Sequence, residues 1–189
     1  LVVNAPHIPV HLGAMGESVR AILDDHDSIS PGDVFITNDP YRGGSHLPDV
    51  TIVTPVFNLE NERIFFTASR AHHSEIGGCT PGSMPPFSQT LAEEGVLIKS
   101  RKLINAGESE EHALQLLLEA DEFPSRSVDI NLADIQAQVA ANHRGAHDLK
   151  RMIERYGEST VLSYMRSIQE AASAKMRQAL SKIPDGVYY

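Results

Sequence analysis

Thirteen residues from Asn38 to Val50, NDPYRGGSHLPDV, hold two aspartates, an arginine, a histidine, two prolines and a Gly-Gly pair. An apolar core has no use for that mixture. His46 and Asp49 lie three apart with Pro48 between them, and a proline-stiffened loop presents two ligands toward one point at low entropic cost. A second polar stretch, HHSEIGG (His72 to Gly78), follows a strand-like run of its own. If the strands leading to these two loops pair, His72 or His73 brings an imidazole to the same sheet edge. A mixed histidine and carboxylate set with open positions suits Mn, Fe or Zn better than Ca or Mg. About three protein ligands would leave room for water or substrate, as a catalytic site requires. The same residues also fit an interaction loop in which Asp39 and Asp49 cap turns through backbone N–H groups.

Other candidates carry less. His143 and His147 are four apart on a helical pattern, but Arg144 stands where the H-E-x-x-H motif needs glutamate, so they are read as a solvated helix face. His7 and His11 flank Pro9 in an extended segment and are read as satisfying backbone groups. Cys79 follows Gly-Gly, and a catalytic thiol would need His72 or His73 as its base. The glycines of GGSH and EIGGCTPG match neither nucleotide-binding signature, G-x-x-x-x-G-K-[ST] or G-x-G-x-x-G.

The elements that must position these groups follow from periodicity. Residues 1–12 are expected to be extended because of Pro6 and Pro9. A helix is predicted over Gly16–Asp25, where Val19, Ile22 and Leu23 share a face. Strands are predicted over Val34–Thr37, Val50–Phe57 and Ile64–Arg70, with a polar turn at Asn58–Arg63. Residues 72–90 form a long Gly- and Pro-rich loop, of a length that is usually functional. A short strand at Val96–Ile98 and a helix at Glu110–Glu119 follow. Leu132, Ile135, Val139, Ala146, Leu149, Ile153 and Tyr156 then trace one helical seam, and Val161, Met165, Ile168, Ala172, Met176 and Leu180 a second. Gly157 falls at the C-cap between them, giving a helical hairpin. The expected fold is α+β: a mixed β-sheet region with long polar loops over residues 1–128, then a long helical hairpin over 129–189.

The chain has 189 residues, 41% hydrophobic and 22% charged, with a net charge of −9. That composition is globular, and the negative charge disfavours nucleic acid and anionic membranes as partners. A single cysteine excludes an internal disulfide framework and fits a reducing compartment. With no long apolar run and no basic leader, a cytoplasmic setting is expected. The opening LVVNAPHIPVHLG and the closing PDGVYY read as cut edges, so an excerpt of a longer protein is expected.

Several long motifs resemble the hydantoinase B family: GDVFITNDPYRGGSHLPDVTIVTPVF (Gly32 to Phe57), ASRAHHSEIGG (Ala68 to Gly78), PGSMPP (Pro81 to Pro86) and EEGVLI (Glu93 to Ile98). APHIPVHLGAM near the start and DIQAQVAANHRG on the long helix join them. The family comprises B subunits of ATP-dependent N-methylhydantoinases, the matching half of 5-oxoprolinase, and alpha subunits of acetone and acetophenone carboxylases. The resemblance implies a two-component enzyme. An actin-like, hydantoinase A-type ATPase partner uses ATP to phosphorylate the substrate, and the B-type part carries a divalent metal, Mn or Zn, where the activated species is hydrolysed or carboxylated. It places metal ligands at His46, Asp49 and His72, with His73 the alternative, because relatives often replace the second residue of that pair. A further aspartate ligand of relatives lies upstream of the HIPVHLG segment.

The expected function is thus the opening of a cyclic amide, a hydantoin or 5-oxoproline, in a hetero-oligomer. An acetone-type carboxylase alpha subunit is the first alternative and a non-catalytic docking scaffold the second. Asn38, Asp39 and Arg42 are expected to orient substrate or phosphate, since an arginine grips a phosphoryl group with two parallel bonds. Glu75, where relatives more often carry aspartate, is expected to act behind the ligands.

Overall fold

The computed structural model describes residue 11 and residues 13–82, 85–120 and 122–187. The extended segment expected over residues 1–12 lies outside these except at His11. The architecture is α+β. Five strands, β1 (Val34–Thr37), β2 (Asp49–Phe57), β3 (Arg63–His72), β4 (Arg101–Asn105) and β5 (Glu108–Ser109), form one sheet in the order β3-β2-β1-β4-β5. The expected mixed sheet is antiparallel in every pairing. Its connections are turns and loops, with one four-residue helix between β3 and β4, and among the described residues none returns a strand in parallel.

Alternation along β2 sorts its side chains between two faces. Val50 and Ile52 join Val34 and Ile36 in the larger core, packed with Leu114 and Leu118 of α3 (Glu111–Ala120) and Leu132 and Ile135 of α4 (Val128–Tyr156). Val53 joins Phe35 on the opposite face, where Ile22 of α1 (Ala14–Asp25) covers them. The sheet is thus the middle layer of three over this part of the chain.

On the α4 side, a row of polar residues is buried with the apolar ones. Asn131, Gln138 and Asn142 recur at steps of seven and four, so they share a helix face. The Gln138 amide donates to the Val50 carbonyl at 3.0 Å and the Asn142 amide to the Ile52 carbonyl at 3.0 Å. In return the Thr67 hydroxyl of β3 donates to the Asn142 carbonyl at 3.1 Å. Helix and sheet are bonded as well as packed.

One expectation is corrected. Val96–Ile98 is not a strand, because its backbone groups find other partners: Val96 N–H donates to the Ile76 carbonyl, and Ile98 is bonded by Asn38. The β4–β5 hairpin and the four-residue helix α2 (Leu91–Glu94) were not foreseen. Helix α2 opens with a capping box, in which Thr90 accepts from Glu93 N–H and Glu93 accepts from Thr90 N–H.

The chain divides into two compact units, one spanning Ile8–Asp148 and the other taking in Leu149–Tyr189. Within the second, α5 (Glu158–Leu180) follows the turn at Gly157, whose N–H donates to the Ile153 carbonyl at 2.8 Å. Of its expected apolar seam Val161 is buried, while Ile168, Met176 and Leu180 are exposed. No helix among the described residues is long and apolar enough to cross a membrane.

Candidate metal centre

The site begins with strand register. In the β2–β3 ladder Asp49 pairs with His72, and paired residues project from the same face. The HLPD turn adds His46: Asp49 N–H donates to the His46 carbonyl at 3.0 Å, and Val50 N–H to the Pro48 carbonyl at 3.0 Å. His73 N–H donates to that same Pro48 carbonyl at 2.8 Å, tying the two loops together.

The outcome is a tight cluster. His46 Nδ1 lies 2.8 Å from Asp49 Oδ2, and His72 Nδ1 lies 3.1 Å from Asp49 Oδ1. The two imidazole centroids are 4.9 Å apart. One ligand atom from each of His46, Asp49 and His72 can be chosen so that all lie within 4.8 Å of one another. The Asp49 side chain is 1% exposed, while those of His46 and His72 are 24% and 46% exposed. The carboxylate therefore forms the floor and the imidazoles the rim.

Asp49 Oδ2 carries the most information. It is buried and has no hydrogen-bond partner, so the close His46 nitrogen is not aligned as a donor to it. A buried carboxylate oxygen left in that condition is costly. Two imidazole nitrogens and an orphaned carboxylate oxygen facing one point are the donor set of a transition-metal ion or zinc. The residues fit the divalent ion expected from the sequence.

His72 and His73 separate cleanly. Side chains alternate at the end of β3, so His73 turns to the other face and is buried against α4. Its Nδ1 lies 2.7 Å from Asn131 Oδ1 and its Nε2 3.3 Å from Gln138 Oε1. Both ring nitrogens are engaged 58 and 65 residues away in sequence, and neither faces Asp49.

The three residues expected to orient substrate have structural duties. The Asn38 amide donates to the Leu47 and Val96 carbonyls at 2.8 and 2.9 Å, and its Oδ1 accepts from Ile98 N–H at 2.7 Å. Buried, with both amide protons used, it holds the HLPD loop to the 96–98 segment. Asp39 Oδ1 accepts from Tyr41 N–H at 2.9 Å, forming an Asx turn. Arg42 pairs with Asp25 of α1 at 2.5 Å on the surface.

The Gly-Gly of the loop has a steric explanation. A Cβ on Gly43 would lie 2.3 Å from Ser18 N, and its φ of +86° already favours glycine. A Cβ on Gly44 would lie 2.5 Å from the Asp39 carbonyl oxygen. The loop packs backbone against α1, which swings Ser45 and His46 toward the sheet.

Arg70 was missed by the sequence reading. It pairs with Thr51, two residues before the Asp49–His72 pair and on the same face. Its guanidinium donates to Thr51 Oγ1 at 2.8 Å, Ser18 Oγ at 2.7 Å, Ser45 Oγ at 3.2 Å and the Gly43 carbonyl at 3.0 Å. Burial holds its pKa below the ordinary arginine value, only partly offset by the charge of Asp49. The signal was available: a strand arginine at i−2 from a candidate ligand shares its face.

Glu75 lies behind the site, on the α4 side. Its carboxylate accepts from the Ser125 hydroxyl at 2.6 Å, from Gly77, Arg126 and Ser127 N–H groups at 2.7 to 3.1 Å, and from the Asn131 amide at 3.0 Å. Burial alone would raise its pKa, but the hydrogen bonds from Ser125, Gly77, Arg126 and Ser127 outweigh that and hold it below the ordinary value. The remaining candidates stand apart: His143 and His147 are exposed on α4, and Cys79 is exposed in the second loop.

Comparison with known proteins agrees with the motifs. The hydantoinase B/oxoprolinase family profile matches residues 1–189. The chain is 46% identical to 5-oxoprolinase 1 of Arabidopsis thaliana and 43% identical to 5-oxoprolinase of Saccharomyces cerevisiae, over 99% and 97% of its own length. It spans only 15% of the length of each. Among solved structures it superposes on the ATP-dependent caprolactamase of Pseudomonas jessenii with a TM-score of 0.83 at 30% identity, covering 98% of this chain and 31% of that one. An acetone carboxylase shares the fold, with a TM-score of 0.69 at 19% identity over 84% of this chain and 21% of that one. With its entire length matched by the profile and its motifs on both sides of the histidine–aspartate cluster, the chain belongs to the hydantoinase B/oxoprolinase family.

Proposed function

We propose that this chain carries the metal-bearing part of an ATP-dependent hydrolase that opens a cyclic amide, a hydantoin or 5-oxoproline. The observation that carries the reading is the His46–Asp49–His72 cluster with its buried, unpartnered Asp49 Oδ2. Relatives named 5-oxoprolinase and an ATP-dependent caprolactamase support the reaction class.

An amide is a poor electrophile. Phosphorylating its oxygen with ATP, at a hydantoinase A-type ATPase component, turns that oxygen into a good leaving group. A divalent ion, Mn or Zn, held by His46 Nδ1, His72 Nδ1 and Asp49 would supply Lewis acidity and lower the pKa of water there. This chain's residues contribute position. The β2–β3 register keeps Asp49 and His72 opposed, and Pro48 stiffens the approach of His46. The half-exposed His72 edge leaves one side open to substrate. Arg70 braces the loop from below through Ser18, Gly43 and Ser45.

The test uses the full-length protein with its ATPase component. Stoichiometric divalent metal and ATP-dependent release of a ring-opened product are expected, with both lost in His46→Ala. Activity that persists without metal would sink the reading. A rate that depends on bicarbonate would point to the carboxylase alternative.

A further inference from the structure

We propose that His11, ahead of α1, is a further ligand of the same centre, and that Ser45 and Arg70 hold it in the tautomer that ligation needs. The proposal rests on the metal reading of His46, Asp49 and His72. His11 Nε2 lies 3.6 Å from Asp49 Oδ2, the oxygen that has no hydrogen-bond partner and that His46 Nδ1 already approaches at 2.8 Å. The His11 side chain is only 19% exposed, so the ring is held against the sheet.

The distance is compatible with a shared ion. A charge-assisted hydrogen bond from imidazolium to carboxylate is about 2.7–2.9 Å long, and 3.6 Å is too great for one. Two ligands each about 2.1 Å from a zinc ion, at a tetrahedral angle, lie roughly 3.4 Å from each other. The observed 3.6 Å is close to that spacing.

The far side of the His11 ring completes the case. Its Nδ1 lies 3.2 Å from Ser45 Oγ, and Arg70 donates to that same oxygen at 3.2 Å. A hydroxyl oxygen has two lone pairs, so it accepts from the guanidinium and from an Nδ1–H together. Arg70 is pinned by Thr51, Ser18 and the Gly43 carbonyl and occupies one lone pair of Ser45 Oγ, and in the proposed arrangement the second lone pair accepts from His11 Nδ1–H. A proton on His11 Nδ1 leaves the Nε2 lone pair free and facing Asp49. Metal-bound histidines are commonly held in this way by a partner on the opposite nitrogen.

Metal-free full-length protein, titrated with zinc and with cobalt(II), tests the assignment. Wild type is expected to take one ion per chain, and His46→Ala to take none. His11→Ala is expected to weaken binding by at least about 10-fold and to change the cobalt visible absorption, because one nitrogen ligand is replaced by water. Ser45→Ala, which leaves His11 in place, is expected to weaken binding by on the order of 10-fold. His11→Ala with wild-type affinity and a wild-type cobalt spectrum would overturn the His11 assignment and leave the three-residue centre standing. Wild type binding no more ion than His46→Ala would overturn both. Should His11→Ala lose its native circular dichroism, Ser45→Ala decides: wild-type affinity and spectrum there also overturn the proposal.

Discussion

On the α4 side of β2 and β3, buried polar groups are paired: His73 with Asn131 and Gln138, Glu75 with five donors, Asn142 with the sheet carbonyls. On the α1 side, Asp49 Oδ2 is the one buried side-chain polar atom among the described residues without a hydrogen-bond partner. The two faces share strands, so their backbones are equally rigid. A closed network stabilises a fold, while a buried acceptor left open in the same frame is the feature on which the proposed metal site rests. Adjacent histidines on either side of the sheet, His72 and His73, therefore do different work.

The largest expected effect breaks the open face. Asp49→Asn keeps the shape of the side chain and removes its charge. Metal affinity, measured by titration into metal-free protein, is expected to fall by more than the roughly 100-fold that losing a residue behind the ligands costs. The thermal midpoint is expected to move little, because the oxygen that changes has no hydrogen bond to lose. A large drop in midpoint with metal affinity intact would reverse the roles assigned to the two faces.

Glu75→Ala does the opposite. Five donors lose their acceptor, and a buried donor left unsatisfied costs about 1–3 kcal/mol. With partial relaxation the total is expected at about 3 kcal/mol or more, read from urea unfolding. Metal affinity of the folded fraction is expected to change far less than in Asp49→Asn.

Acid provides a gentler version. Glu75 is held below the ordinary glutamate value of 4.5, and Asp33 below 3.8. Burial works against the Asp33 carboxylate, but Ser30 and Ala106 N–H groups and Lys102 outweigh it. A carboxyl whose folded pKa is depressed contributes stability above its unfolded value and loses it as pH falls through the folded one. Urea midpoints are therefore expected to hold from pH 7 to about 5 and to decline below 4.5. Glu75→Gln is expected to flatten part of that decline, and an unchanged slope would exclude Glu75 as a contributor.

Strong periodicity made much of this legible. Val34–Thr37 was drawn to the residue, and α1, β2, β3, α3, α4 and α5 within a few residues, because the strands are β-branched and aromatic runs bounded by turn residues and the helices carry apolar residues on one face. The hairpin Arg101–Asn105 and Glu108–Ser109 was not visible, since its strands are short and charged and its turn puts Ala106 at positive φ, a residue that does not advertise it. The HLPD histidine and aspartate were legible as chemistry, but which of His72 and His73 faces them depends on where strand alternation ends. The contacts that engage Asn38 and Arg42 were not legible, for a different reason. Residue type shows what a side chain can bind, and only tertiary contact shows what it is already bound to.

Arg42 offers the smallest and last test. It lies four residues from His46 in sequence, yet it pairs with Asp25 of α1, and both side chains are well exposed at 45% and 33%. Exposed pairs contribute about 0–1 kcal/mol, so Arg42→Ala is expected to lower stability by less than about 1 kcal/mol and to leave metal affinity unchanged. Arg70→Ala makes the contrast, because it removes bonds to Thr51, Ser18, Ser45 and the Gly43 carbonyl together. A loosened HLPD loop should weaken metal binding there, and not in Arg42→Ala. If Arg42→Ala instead raises the substrate KM of the ATP-dependent reaction while Arg70→Ala does not, the phosphate-orienting role expected of Arg42 from the sequence is supported. The brace against α1 would then be incidental to the open face.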